Sequence, residues 1–153
     1  MYEHYDRLVI YFDGASKNNP RGPAGCGWLI YEMDEYGTNS YRIASGQNYL
    51  GYNVSNNQAE YSGLDAALEY LIDECISCNG LYIRGDSEVV LKQLEGYCQV
   101  RSPNIIEYYN HVVSYFHSIP HHYIRYKHID RYSNYEADQN ANQAIFDECD
   151  NIW

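Results

Sequence analysis

No stretch of this 153-residue chain approaches the ~18 consecutive apolar residues needed to cross a bilayer, so a transmembrane helix is excluded at the outset. The opening "MYEHYDR" has no basic n-region and no apolar h-region, and no secretory leader is expected. Cysteine is sparse and odd in number, at five. The single close pair, Cys75-Ile-Ser-Cys78, falls near the expected end of a helix. It has no second pair to complete a zinc site and no preceding Trp or Pro to suggest a redox motif. Ordinary thiols in a reducing, intracellular and cytoplasmic setting fit best. Basic residues are few: ten Lys and Arg stand against 21 Asp and Glu, for a net charge of -11. Taken alone, that balance argues against nucleic-acid binding, which draws on Lys and Arg to neutralise phosphates. Internal repeats, linkers and low-complexity tracts are also missing, and a single domain over 1–153 is expected. Tyrosine, by contrast, is abundant at 19. Asparagine is also frequent, and a coding bias would explain both as well as a function would.

What is present reads as alternating strands and helices. Residues 6–13 form a run of β-formers ending at Asp13-Gly14, and 24–33 and 41–50 predict two further strands in an antiparallel meander. From residue 53 the period changes: Leu64, Ala67, Leu68, Leu71, Ile72 and Cys75 recur at helical spacing, with Asn79-Gly80 as the expected stop. "LYIRG" predicts a short strand, and Asp86-Ser87 opens a helix through Leu94. A helix over 104–118 is stopped by Pro120. "HYIRYKHI" predicts the last strand, and 134–149 a final helix. Strands alternating with helices in the second half imply parallel additions to the meander, hence a mixed α/β sheet.

Four acids stand out. Each has an ordinary explanation: Asp13-Gly14 as turn chemistry, Asp86-Ser87 as a helix cap, Glu60 and Asp138 as solvated helix residues. The helix faces weaken that explanation. Glu60 precedes Leu64 by four and Ala67 by seven, and Asp138 precedes Ala141 by three and Ile145 by seven, so both lean toward packed faces. A carboxylate aimed at a core is costly unless paired or bound to metal. Two strand-end acids and two inward-leaning helix acids therefore suit one cation-filled pocket, where the C-terminal ends of parallel strands place such sites. An all-oxygen donor set without a His or Cys cluster calls for Mg²⁺ or Mn²⁺, and several acids together suggest two ions about 4 Å apart flanking a phosphodiester.

Four segments in order, "YFDGASKNNPRGPAGCG", "NNQAEYSGLDAAL", "IRGDSEVVLKQLEGYCQV" and "HIDRYSNYEADQNANQAI", resemble the conserved blocks of type 1 ribonuclease H, especially its compact bacterial and archaeal branch. The likeness covers a core of roughly residues 7–148. It implies the ribonuclease H fold, a five-stranded mixed sheet with helices on both faces. It also implies hydrolysis of the RNA strand of RNA/DNA hybrids, leaving 5′-phosphate and 3′-hydroxyl ends, by a protein acting as a monomer away from membranes. On that resemblance Asp13 would bridge two Mg²⁺ ions, Asp138 would complete the water-activating site, and Glu60 with Asp86 would hold the other ion. His128 matches a mobile His that aids proton transfer or product release. Asn19, Asn56 and Asn57 match contacts to the RNA minor groove and 2′-hydroxyls, for which amides serve as both donor and acceptor. Ser55 matches a DNA-phosphate contact, while Gly14 and Gln58 complete the substrate-binding set. Arg101 is a candidate DNA-strand contact, set against the solvated loop residue that a lone Arg usually is.

The chain also departs from the family. Arg21 lengthens the Pro-Gly loop by one residue, no Lys- and Trp-rich insertion follows the helix after Asp86, and no separate hybrid-binding domain is expected ahead of the core. The acidity conflict resolves if charge distribution matters more than its sum. Lys17 and Arg21, and Arg125, Lys127 and Arg131, make up half of the basic residues and are expected to border the pocket. Three alternatives compete: a 3′–5′ exonuclease, a junction resolvase, and a weakly catalytic or metal-free binding domain on the same fold. Ala15 stands where exonucleases carry the second acid of D-x-E, Asn56-Asn57 favours RNA sensing, and none of the four acids is missing. His111, His117, His121 and His122 are poorly spaced for one tetrahedral zinc site.

Overall fold

The structure is a computed structural model that describes residues 3–150. Residues 1–2 and 151–153, the ends of the expected 1–153 domain, lie outside the described residues. The elements run β1 (Glu3–Ser16), β2 (Pro23–Met33), β3 (Asn39–Tyr52), α1 (Asn56–Asp73), β4 (Ile76–Gly85), α2 (Glu88–Glu95), α3 (Pro103–Ser118), β5 (Tyr123–His128) and α4 (Tyr135–Asp150). The five strands form one sheet in the order β3-β2-β1-β4-β5. The first three are antiparallel, and β4 and β5 run parallel to β1. No helix is long and apolar enough to cross a membrane among the described residues.

Alternation along the central strand β1 sorts the two layers. Leu8, Ile10 and Phe12 enter the main core with Trp28 and Ile30 of β2 and with Leu64, Leu68 and Leu71 of α1. α3 packs behind α1 and adds Ile105, Val112 and Phe116 to the same core. Asp13, one residue beyond Phe12, points toward the opposite face, where the small buried residues Ala137 and Ala141 let α4 lie across β1–β3. The sheet is thus mixed and carries helices on both faces.

Three local expectations are corrected. Asp13-Gly14 does not end the first strand: β1 continues to Ser16, paired opposite Ala24. The apolar run stops at Phe12 because the next side chain, Asp13, turns into a buried acidic cluster, while the hydrogen-bond ladder goes on. Gly14 serves packing, since a Cβ at this position would stand 2.3 Å from backbone atoms of Ala59 and Glu60 in α1. Nor does α1 run to Asn79-Gly80. It ends at Asp73, the N–H groups of Glu74 and Cys75 fold back onto Tyr70 and Ile72, and Cys75 takes a left-handed φ of 53°. Ile76 and Cys78 are then buried on β4, and the Tyr123 ring lies over Gly80 at 2.5 Å from where a Cβ would be. The Cys75/Cys78 pair is accordingly split between an exposed helix end and a buried strand. Burial pushes the Cys26 and Cys78 thiols up to about 12, as for inert structural cysteines. Finally, Ser87 rather than Asp86 caps α2, accepting the Val90 N–H at 3.3 Å, which leaves the Asp86 carboxylate for other work.

Candidate active site

Each of the four acids is delivered by a different element or its flank. Asp13 projects from β1, and its Oδ1 accepts the Gly14 N–H at 2.8 Å. Glu60 lies in the second turn of α1, whose start is set by a full capping box: Ser55 Oγ accepts from Gln58 N–H at 3.1 Å, and Gln58 Oε1 accepts from Ser55 N–H at 2.8 Å. Asp86 follows the last residue of β4, and Asp138 sits in the first turn of α4. One oxygen from each of Asp13, Glu60 and Asp86 falls within 4.8 Å of the others. Asp138 stands outside that trio, half-buried in the wall of the same cleft of about 580 Å³, with Arg131 Nη2 at 3.6 Å from its Oδ1.

The electrostatics are those of a site short of positive charge. Asp13 is 3% and Glu60 7% exposed, and Glu60 Oε2 is buried with no hydrogen-bond partner. Burial, reinforced by the charge of Asp86, pushes the Asp13 carboxyl up to about 7 even though a hydrogen bond with Glu60 works the other way. Burial first and the adjacent Asp13 second hold Glu60 well above the usual carboxylate range. Asp86 is raised by burial and by Asp138, with Arg131 opposing. Among the described residues no Lys or Arg forms an ion pair with Asp13, Glu60 or Asp86. Buried carboxylates in this state hold either protons or a cation. The orphaned Glu60 oxygen and the all-oxygen donor set fit a hard divalent ion.

The remaining residues singled out from sequence divide into those at the cleft and those spent on the fold. His128 lines the cleft, its Nε2 3.2 Å from the Asp86 carbonyl oxygen. Gly14, Asn56 and Asn57 line it as well. Asn56 Oδ1 accepts the Ser16 N–H at 3.0 Å, and its own N–H donates to Asn19 Oδ1 at 3.0 Å. The longer loop bearing Arg21, with its cis Asn19-Pro20 bond, therefore still ties Asn19 to the start of α1. Ser55 and Gln58 form the cap, and Gln58 Nε2 also donates to the Asn104 carbonyl at 3.2 Å, so both ends of the Gln58 amide serve the fold. Arg101 is exposed in the loop between α2 and α3, away from the cleft wall. Of the five clustered cations, Lys17 and Arg131 line the cleft. Arg21, Arg125 and Lys127 do not, so each basic stretch borders the cleft through one residue. The alternation of β5 accounts for Arg125 and Lys127, whose side chains leave the strand sideways, across the sheet, rather than from its end. His111 pairs with Asp65, and His121 Nδ1 lies 2.6 Å from the Ile119 carbonyl oxygen, so these histidines serve separate places.

Two residues escaped the sequence reading. Asn134, 2% exposed, donates its Nδ2 to the Phe12 carbonyl at 2.8 Å, and its own carbonyl accepts the Asp138 N–H at 3.0 Å. Asn134 thereby ties the backbone before Asp13, through its side chain, to the turn that carries Asp138, through its backbone carbonyl. Asn142 Nδ2 donates to the Asp138 carbonyl at 2.9 Å, while its Oδ1 accepts Lys17 Nζ at 2.7 Å. The available signals were an Asn immediately before an amphipathic helix and an Asp-Asn pair at i, i+4.

The sequence and fold are similar to those of known proteins. A family model described as reverse transcriptase-like matches residues 11–144. The chain is 40% identical over 99 residues to the ribonuclease HI of Halobacterium salinarum, an alignment covering 65% of this chain and 45% of that protein. It spans about half the length of the curated relatives it matches. The crystal structure of RNase H1 from the same halophilic archaeon superposes with a TM-score of 0.80 at 34% identity, covering 92% of this chain and 98% of that one. The structure of LC11-RNase H1 in complex with an RNA/DNA hybrid superposes equally well, at 0.80 and 31% identity, covering 93% and 99%. By fold, segment order and likeness to these proteins over nearly their whole chains, the chain belongs to the type 1 ribonuclease H family.

Proposed function

We propose that this chain is an endoribonuclease that hydrolyses the RNA strand of RNA/DNA hybrids, leaving 5′-phosphate and 3′-hydroxyl ends, with Mg²⁺ as its natural ion and Mn²⁺ as a substitute. The observation that carries the reading is the convergence of Asp13, Glu60 and Asp86 within 4.8 Å, with Asp138 in the same cleft wall. Asp13, Glu60 and Asp86 would hold one divalent ion, and Asp13 with Asp138 a second. When bound, such ions lower the pKa of water and stabilise charge on the phosphoryl and leaving oxygens.

The chain's own residues supply position and proton traffic. Asn56 and Asn57 line the cleft and carry amides able to recognise 2′-hydroxyls, which separates an RNA strand from DNA. Lys17 and Arg131 give the cleft wall positive charge for phosphates. His128, exposed beside Asp86, is placed to accept or donate a proton as the product leaves. Asn134 and Asn142 hold the backbone around Asp13 and Asp138 and act as positioning residues.

The test is an assay with end-labelled RNA/DNA hybrid, double-stranded RNA and single-stranded RNA, with and without Mg²⁺ or Mn²⁺. The expected result is metal-dependent cleavage of the hybrid alone, abolished by Asp13→Asn. Cleavage of the hybrid by Asp13→Asn at the native rate, or an inert native protein with both metals, refutes the reading.

A further inference from the structure

The side of the sheet under α4 is only partly covered. α4 packs on β1, β2 and β3. Beside it, β4 and β5 present Tyr82, Arg84, Tyr123, Arg125 and Lys127 on that same side. The alternation of β5 fixes their direction. Ile124 and Tyr126 turn into the core, with Tyr126 edge-on to Phe116 at 6.4 Å, so Tyr123, Arg125 and Lys127 turn the other way. Tyr82 meets Tyr123 edge to face at 6.0 Å, and the Arg125 guanidinium lies 4.6 Å from the centre of the Tyr123 ring. Arg84 donates to the Tyr11 hydroxyl at 3.0 Å. In the parallel ladder Arg125 lies beside Tyr82, and Lys127 beside Arg84. Three cations and the rings of Tyr82 and Tyr123 thus form one patch two strands wide.

Three features of this patch point to an anionic ligand. The chain has only ten Lys and Arg against 21 acids, yet three of the ten gather here. Among the described residues none of the three forms an ion pair with a carboxylate, and Arg84 Nε is buried without any partner. The patch also lies on the strands that lead to the cleft, because β5 ends at His128 and β4 runs on to Asp86, both of which line it. Protection of a sheet edge would explain Arg125 and Lys127 on the edge strand β5. It does not explain Arg84 on the inner strand β4, half-buried against Tyr11.

We propose that this face binds a single-stranded extension of the nucleic acid held in the cleft, with phosphates at Arg84, Arg125 and Lys127 and bases against the Tyr82 and Tyr123 rings. The proposal rests on the hybrid-nuclease reading for the strand in the cleft. A single strand fits better than a duplex, whose bases are already stacked and cannot use the tyrosines. Along β5, Arg125 and Lys127 stand about 6.6 Å apart, of the order of the step between phosphates in an unstacked strand.

The experiment compares binding of a blunt labelled RNA/DNA hybrid, the same hybrid with a single-stranded oligothymidylate overhang, and the labelled oligothymidylate alone, in Ca²⁺ to suppress cleavage. The native protein is set against Arg125→Gln/Lys127→Gln, both exposed positions, and against Tyr123→Leu, with thermal melts confirming the fold. The overhang is expected to tighten binding about tenfold, with the gain lost in the double variant and cut at least about fivefold in Tyr123→Leu. Cleavage of the blunt hybrid in Mg²⁺ is expected to be unchanged in the double variant. If the blunt hybrid is cleaved but the overhang adds nothing, or adds as much in the double variant, the proposal is overturned and the nuclease reading stands. If the blunt hybrid is not cleaved, that reading fails and the oligothymidylate decides: equal binding to native and double variant overturns the face as a single-strand site, and loss of binding supports it. Polyglutamate competing as well as oligothymidylate would also overturn it, because an acidic protein would then fit as well as a nucleic acid.

Discussion

Asp13→Asn should make the metal-free protein more stable while removing its activity. Asn preserves the shape and keeps an oxygen to accept the Gly14 N–H, so the substitution mainly deletes a buried charge. The native carboxyl is pushed up to about 7, from an ordinary 3.8, chiefly by burial. At 1.36 kcal/mol per pH unit, holding it ionised costs about 4 kcal/mol. Glu60 is left with part of that cost, because it still lies buried with an orphaned oxygen, so the gain on substitution should be on the order of 2–4 kcal/mol. The sign follows from proton binding. With its native pKa above the unfolded value, the folded state binds the proton more tightly, so the stabilisation is complete below about pH 4 and is lost as pH rises through about 7. In EDTA at about pH 7.5 the variant should melt about 5–15 °C above the native protein, and at about pH 5 less than half that gap should remain. Saturating Mg²⁺ or Mn²⁺ should narrow the gap by stabilising the native protein selectively. Scanning fluorimetry at the two pH values, with EDTA and with metal, measures all of this. A variant less stable than native at neutral pH in EDTA, or a gap unchanged between the two pH values, would refute the picture of an uncompensated buried charge.

Three further outcomes follow from the packing around the cleft. Gly14→Ala places a Cβ 2.3 Å from the backbone of α1 and should cost about 3 kcal/mol or more, seen as a large drop in the urea midpoint; an unchanged midpoint would show that α1 can yield. Asn134→Ala removes the donor to the buried Phe12 carbonyl and should cost about 1–3 kcal/mol in urea denaturation. It should also slow hybrid cleavage, by displacing Asp13 and Asp138 together. His128→Ala should lower kcat about 100-fold with little change in KM, since the ring lies in the cleft but is exposed and carries no packing; a KM effect alone would recast it as a binding residue.

The elements were legible where a local cause controls them. The Leu64/Leu68/Leu71 stripe and the Pro120 stop are short-range chemistry, and the structure places the buried face of α1 and the end of α3 where they indicate. The failures came where a local signal met a long-range partner. Asn79-Gly80 looks like a helix stop, but Ile76 and Cys78 are drawn into the core and Gly80 is needed beneath Tyr123. Asp13-Gly14 looks like a turn, but Gly14 is there for α1 and the ladder to β2 runs past it. The inward lean of Glu60 was readable from its helix face. The burial of Asp13 was not, because it depends on α1 crossing the sheet end.

The sequence by itself determined the family, the α/β alternation and the identity of four acids in four separate segments, because hydrophobic period and residue type are properties of the chain as written. Only the tertiary structure decided that Asp13, Glu60 and Asp86 form the tight trio while Asp138 stands in the wall, that Asn134 links two of the acid-bearing segments, and that Arg125 and Lys127 leave the cleft for an open sheet face. Those facts depend on which strands become neighbours and how closely helices approach them. Register, crossing and close approach are set jointly by residues tens of positions apart, and no local pattern encodes them.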